Sequence, residues 1–278
     1  MKVYKFGGAS VKDAQGIRNL RAILNREKEE MVVVVSAMGK TTNALERVVN
    51  ALWLREHEQV EREWQVIVDY HMSICHTLGL AFNMDMPDVQ ATWTSYDELY
   101  DQVVSWGELF STRIVSLYLK HCGIANQWLD ATQLLITDDT FRHANVDMER
   151  SEKRWQQAIA NSHTRLSVTQ GFIGGTLNGQ RTTLGREGSD YSAAILANLL
   201  NAQSVTIWKD VPGILTADPK KDKTARLIRH MTYDEATQLA ATGAQIIHPK
   251  TIEPLEEKHI PLFVKPFLHP DEQGTVVQ

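Results

Sequence analysis

The sequence predicts an α/β protein built on a parallel sheet, and three observations carry that prediction. First, KVYKF (2–6) runs into two glycines, a helical pattern and then the unbroken β-branched run MVVVVSA (31–37), which together make a βαβ unit. Second, the last third alternates helix and strand patterns at regular intervals. Third, the stretch from about 43 to 122 shows helical spacing with little strand signal, so a helical insertion interrupts the alternation.

Each element follows from its own pattern. Ile17, Leu20, Ile23 and Leu24 keep helical spacing within 13–28. The run at 31–37 lacks polar alternation, as expected of a strand buried on both faces. Residues 51–80, 88–106 and 108–119 read as three helical stretches, with MDMP (84–87) as a break. Strands are expected at 125–129 and, more weakly, at 133–136, then a helix at 148–161 and a strand at 165–175 that ends in glycines. Helix 191–200, strand 204–208, helix 233–242 and strand 261–265 complete the pattern. Two lobes are expected, with a boundary between about 160 and 175.

Composition narrows the function. A chain of 278 residues can bury a sizeable core. A net charge of −5 offers nothing global to nucleic acid or an acidic membrane, so an anionic substrate needs local cations. Cys75 and Cys122 are the only cysteines, which argues against a disulfide framework and a structural zinc site. No apolar run approaches the roughly 20 residues of a membrane span, and MKVYKFGGAS lacks a signal-peptide core, so a cytoplasmic location is expected.

Three glycine-flanked turns hold the chemistry. KFGGAS (5–10) serves equally as a tight strand-to-helix connection or as a phosphate cradle in which the N–H groups of Gly7, Gly8 and Ala9 work beside Lys5. Ser10 fits the cradle or an ordinary helix cap. VSAMGKTTN (35–43) imitates the end of a phosphate-binding P-loop. Position 34 is a strand valine where that motif needs glycine, so what remains is a polar loop carrying Ser36, Thr42 and Asn43. TLGREGSDYSAAI (183–195) places Arg186 between glycines, and Arg186 suits bidentate recognition of carboxylate or phosphate. Ser189 or Asp190 can cap the next helix. Glu108 in SWGELFSTR sits where a helix-start acid complements the dipole. The long loop in VTIWKDVPGILTADP (205–219) follows a strand, where nucleotides are often held. His248 reads as a helix-start residue, and no histidine spacing suits a metal.

KFGGAS, VSAMGKTTN, WGELFST, TLGREGSDYSAAI, IWKDVPGILTADP and GAQIIHPKTI occur in that order, and together they resemble the catalytic domain of aspartate kinases, in the amino acid kinase family. The resemblance implies a three-layer α/β/α sandwich around a mostly parallel sheet over 1–278. An amino-acid lobe would span about 1–170 and a nucleotide lobe about 171–278. It implies transfer of the γ-phosphoryl of ATP, with Mg²⁺, to the side-chain carboxylate of L-aspartate, the first step towards lysine, threonine and methionine. Lys5 then matches the lysine that neutralises the phosphoryl group, and Gly7, Gly8 and Ser10 match the phosphate-facing turn. Ser36, Thr42, Glu108, Arg186 and Ser189 match substrate-binding positions, and Asp190 matches the acid that organises the site. Lys209, Asp210, Leu215, Lys220 and Gln245 fall on nucleotide-binding positions. A relative acting on glutamate, N-acetylglutamate or carbamate, or a non-catalytic binding module, stands as the alternative.

Three residues depart from the family pattern. Glu187 replaces a glycine of Gly-Arg-Gly-Gly-Ser-Asp, so either its side chain points away from substrate or the turn's geometry changes. Gln245 replaces the lysine of Gly-Ala-Lys-x-x-His-Pro, and Lys209 stands where threonine or serine is common, a place from which it can restore the lost charge. Many aspartate kinases continue into ACT regulatory domains beyond about this point, so activity without feedback inhibition by lysine or threonine is expected. A homodimer through the catalytic domain is the expected association.

Overall fold

The predicted βαβ unit comprises β1 (Lys2–Phe6), α1 (Ala14–Leu24) and β2 (Met31–Val35). The computed structural model describes residues 1–86, 93–217, 222, 224–241 and 247–278. β1 and β2 pair in parallel from Lys2 opposite Met31 to Phe6 opposite Val35. A helical segment follows: α2 (Thr41–Trp53), α3 (His57–Leu78), α4 (Tyr96–Val104) and α5 (Trp106–His121). Then come β3 (Gln127–Leu129), α6 (Ala131–Leu134), α7 (Met148–Ala160), β4 (Leu166–Gln170), and a separate hairpin of β5 (Ile173–Gly175) and β6 (Arg181–Thr183). The chain closes with α8 (Gly188–Leu199), β7 (Val205–Lys209), β8 (His230–Met231), α9 (Tyr233–Ala241), α10 (Pro249–Glu257), β9 (Leu262–Pro266) and β10 (Thr275–Val277).

The sheet runs β3-β4-β2-β1-β7-β9-β10-β8, and only β9 and β10 pair antiparallel. Strand alternation sorts the core into layers. Val3, Val32, Val34, Val205, Ile207, Leu262 and Val264 pack with the α8 and α10 side, where Ile195 and Leu255 are buried. Tyr4, Phe6, Val33, Val35 and Val168 pack on the other face with Ile17 and Leu20 of α1 and Ile114 of α5. β2 is therefore covered on both sides, which its unbroken apolar run required. Each buried valine there contributes about 1.5–3 kcal/mol. The helical segment has a core of its own, with Leu45, Trp64, Leu99 and Trp106. Among the described residues no helix is long and apolar enough to cross a membrane.

Four local expectations change. The helical stretch at 51–80 breaks after Leu54, where Arg55 turns left-handed (φ 59°). Residues 133–136 were expected as strand, but Asp130 accepts the Thr132 N–H at 3.0 Å and starts α6 instead, a cap overriding β-propensity. The single strand expected at 165–175 is two, because Phe172 adopts φ 69° between β4 and β5. The stretch at 88–106 is helical only from Tyr96, with Ser95 as the cap, and residues 87–92 lie outside the described ones.

Candidate active site

Strand periodicity places two lysines side by side. Lys5 shares a face of β1 with Val3, and Lys209 shares a face of β7 with Val205 and Ile207. The two strands are parallel neighbours with Lys5 opposite Ile207, so both ammonium groups reach the α8 side at the carboxyl end of the sheet. The first turn of α8 brings Asp190 there. Lys5 Nζ lies 2.6 Å from Asp190 Oδ1, and Lys209 Nζ lies 3.0 Å from Oδ2. Asp190 is 1% exposed, and burial alone would push its carboxyl up. Lys5 and then Lys209 outweigh that burial and hold it below the ordinary carboxylate range. Two lysines thus share one buried acid.

The turn after β1 approaches the second strand's loop closely. A Cβ on Gly8 would lie 2.5 Å from the Ala37 carbonyl oxygen, so only glycine fits. Among the described residues, the N–H groups of Gly7, Gly8 and Ala9 are donated to no protein acceptor. They form a run of donors beside Lys5. Ser10 is not a helix cap. α1 begins at Ala14, and Asp13 caps it by accepting the Gly16 N–H at 2.7 Å. Ser10 is buried instead, its hydroxyl donating at 3.5 Å to the Trp208 carbonyl of β7.

A cavity of about 520 Å³ opens over this centre. Its floor and one wall come from Lys5, Gly8 and Ser36 at the ends of β1 and β2, with Thr42 of α2 and Glu108 of α5. The opposite side is Arg186, Ser189 and Asp190. Glu108 is buried in the first turn of its helix, and its Oε1 accepts the Ala37 N–H at 3.2 Å. Its Oε2 is buried with no hydrogen-bond partner among the described residues. Burial pushes this carboxyl up to about 8, against the smaller opposing pull of the Ala37 N–H and of Lys5.

The loop before α8 is held by its backbone. Gly185 takes φ 78°, and a Cβ on it would meet His143 Nδ1 at 2.6 Å. Glu187 adopts φ 56° and is the N-cap residue, its carbonyl accepting the Asp190 and Tyr191 N–H groups at 3.0 and 3.2 Å. Ser189 and Asp190, expected as caps, lie inside the first turn, and α8 starts three residues earlier than the apolar pattern suggested. Backbone capping leaves both side chains for the cavity. Arg186 and Glu187 are exposed at its rim.

Lys209 reaches the cavity through Asp190, and neither Gly7 nor Ser10 is among the residues that line it. Asp210 is exposed just past β7, and Leu215 is buried and bridged to Leu227. Lys220 and Gln245 lie outside the described residues. His248 caps α10, its Nδ1 accepting the Lys250 N–H at 3.2 Å. Sequence reasoning missed Tyr100, Arg142, His143, Phe172 and Thr183, which also line the cavity. The available signal was TDDTFRHAN (137–145), an Asp/Asn-rich loop run with an embedded Arg-His pair.

Comparison with known proteins agrees with this architecture. The amino acid kinase family model matches residues 1–266. Lysine-sensitive aspartokinase 3 of Escherichia coli (strain K12) is 35% identical over 99% of this chain and 63% of its own length. The chloroplastic bifunctional aspartokinase/homoserine dehydrogenase 2 of Arabidopsis thaliana is 31% identical over 99% of this chain and 32% of its own. The chain thus spans 32% to 63% of the length of these relatives. The crystal structure of Escherichia coli aspartokinase III in complex with aspartate and ADP superposes with a TM-score of 0.87 at 31% identity, covering all of this chain and 64% of that one. A sheet with paired lysines at its carboxyl edge, matched over nearly its whole length by one family, places the chain in the amino acid kinase family.

Proposed function

We propose that the chain transfers the γ-phosphoryl group of ATP, with Mg²⁺, to the side-chain carboxylate of L-aspartate, giving 4-phospho-L-aspartate and ADP. In that role it opens the route to lysine, threonine and methionine. The observation that carries this reading is a single cavity joining the Lys5–Asp190–Lys209 centre to Arg186 and Glu108. Arg186 suits a carboxylate, and the unpaired Glu108 Oε2 suits an ammonium, so together they fit the two ends of an α-amino acid. Ser36, Thr42 and Ser189 supply hydroxyls along the wall between them. The similar Escherichia coli structure that contains aspartate and ADP supports the same pairing of ligands.

The chemistry asks for positioning and charge rather than for a base. An aspartate carboxylate oxygen attacks the γ-phosphorus, and a new O–P bond forms. The bond from that phosphorus to the β,γ-bridging oxygen breaks, and its electron pair leaves on ADP. No proton moves, because the acceptor is already anionic. Lys5 and the Gly7–Gly8–Ala9 donors neutralise the phosphoryl oxygens in this reading. Asp190 holds the Lys5 and Lys209 ammonium groups in place, and a lysine ammonium has three N–H donors, so one bond to an acid does not exhaust Lys5. Lys209 takes over the charge that Gln245 lacks, with Asp210, Leu215 and Lys220 completing the nucleotide side. In this reading the ion is carried mainly by the substrate phosphates. Mg²⁺ supplies charge neutralisation of those phosphates when bound. The proposed lobes meet at about residue 170, and the substrate groups come from both sides of that point.

The test is ATP turnover with L-aspartate, trapping the acyl phosphate with hydroxylamine, against glutamate and N-acetylglutamate. Aspartyl hydroxamate from aspartate alone is the expected result. Product from another acid would replace the substrate, and binding of ATP and aspartate without ADP release would replace catalysis by a binding role.

A further inference from the structure

Asp101 of α4 is wholly buried yet lies outside the cavity, and among the described residues no ammonium or guanidinium group forms a salt bridge with it. Its carboxylate joins two other chain segments. Oδ2 accepts the Arg142 N–H at 2.9 Å and the Thr183 N–H at 2.8 Å, while Oδ1 accepts the Thr183 hydroxyl at 2.7 Å. The Thr183 carbonyl accepts the Ala144 N–H at 3.0 Å, so the loop around 142 and the end of β6 are tied twice. Two residues past Thr183 is Gly185, whose α-carbon packs so closely on His143 that no Cβ fits, and Arg186 follows it.

The same turn of α4 also grips the Arg142 side chain. Its guanidinium lies 4.3 Å over the Tyr100 ring and 3.2 Å from Asp97 Oδ1. Residues 97, 100 and 101 face one way on a helix, so one face holds both backbone and side chain of Arg142. That backbone is left-handed (φ 68°), a conformation unfavourable for a residue with a Cβ. Something must hold it, and the Asp101 carboxylate receives its N–H. Three donors converge on two oxygens, an arrangement that suits the acceptor-only, ionised carboxylate. Burial pushes its carboxyl up only to about 6, so it is mainly ionised at neutral pH.

We propose that Asp101 is a positioning residue: its carboxylate staples the Arg142–His143 loop to β6 and so sets the wall from which Arg186 meets the amino-acid substrate. The proposal rests on the reading of this cavity as the aspartate site. A structural role alone would lower stability without favouring one substrate over the other. A positioning role weakens aspartate binding and leaves the nucleotide side intact.

The test pairs Asp101→Asn with the milder Thr183→Val, which removes one donor and keeps the N–H. In Asp101→Asn the expected KM for aspartate rises by about tenfold or more, with KM for ATP unchanged and kcat within about threefold of the parent. Thr183→Val is expected to move the aspartate KM in the same direction by less, and it carries the kinetic test if Asp101→Asn fails to fold. Amide hydrogen exchange at residues 142 and 183 gives a readout independent of substrate, and both amides should lose protection in Asp101→Asn. Equal losses for aspartate and ATP, an unchanged aspartate KM, or retained protection of both amides would overturn the proposal. If the parent enzyme itself turns over no aspartate, the substrate reading falls, and exchange at the two amides still decides whether the staple exists.

Discussion

Asp190 and Glu108 are both fully buried acids lining one cavity, and they are handled in opposite ways. Asp190 lies between two lysines, 2.6 and 3.0 Å away, which hold its carboxyl below the usual range. Glu108 has one backbone N–H and an unpaired oxygen, and burial pushes it up to about 8. The side proposed to hold the phosphoryl group therefore has its acid already paired by the fold. The amino-acid side instead keeps an acid that needs a cation. In the proposed reaction that cation is the substrate's ammonium group. The contrast separates what the fold supplies from what the substrate must bring.

The sharpest way to break the contrast is at Asp190. Asp190→Asn keeps the shape but leaves Lys5 and Lys209 without their shared counter-charge. Removing one partner of a buried ionic group costs about 3–5 kcal/mol of stability. Loss of preorganised charge at the transferring group is expected to lower kcat by about 10³-fold. Thermal unfolding and steady-state turnover measure the two effects. A variant that keeps turnover within tenfold of the parent would show that the lysines need no organising acid.

Glu108→Gln sharpens the other half, and its effect has two signs. Losing the carboxylate opposite the ammonium should raise KM for aspartate by about 10- to 100-fold, with ATP binding unchanged. Stability should move the other way. The folded-state pKa is raised to about 8 from 4.5, so the contribution is full below 4.5, declines as pH rises and is gone above 8. That decline amounts to a few kcal/mol. Above pH 8 the Gln variant should therefore melt higher than the parent. In the parent, kcat/KM for aspartate should rise with pH and level near 8, as the free site must lose its proton to meet the ammonium. Parallel pH profiles for parent and variant would refute that role.

How much of this was legible in the sequence follows from the range of the interactions. The turns at Gly7–Gly8 and Gly185–Gly188 were readable because glycine spacing is local, and Lys5, Arg186 and Asp190 came with them. The parallel sheet was readable from MVVVV because burial on both faces leaves no polar alternation. The state of Glu108 was not readable, since it depends first on burial by distant segments and then on the N–H of Ala37, seventy-one residues away. Asp101 was hidden for the same reason: its partners, Arg142 and Thr183, lie in two distant segments. The hairpin after β4 was missed because one left-handed residue, Phe172, splits an apparently continuous strand.

Lys209 tests whether the charged half needs both of its lysines. Lys209→Thr leaves Asp190 with Lys5 alone and removes one positive charge from the nucleotide side. About a tenfold rise in KM for ATP is expected, with aspartate binding little changed. An unchanged affinity for ATP would mean that Lys209 does not meet the nucleotide, and that the charge missing at position 245 is not restored from β7.

Glu187 gives the smallest effect, because it shapes the loop between the two halves without belonging to either. Its φ of 56° is a conformation that glycine adopts freely and glutamate adopts at a cost. Its carbonyl, not its side chain, caps α8, so Glu187→Gly keeps the cap and relieves the strain. Against that relief stands the greater freedom glycine gives the unfolded chain, about 0.4–1 kcal/mol. The two terms nearly cancel, so unfolding stability should stay within about 1 kcal/mol of the parent, with turnover unchanged. A large loss of turnover at constant stability would place the Glu187 carboxylate among the groups that meet substrate, and the rim of the cavity would then carry an acid that works with Glu108.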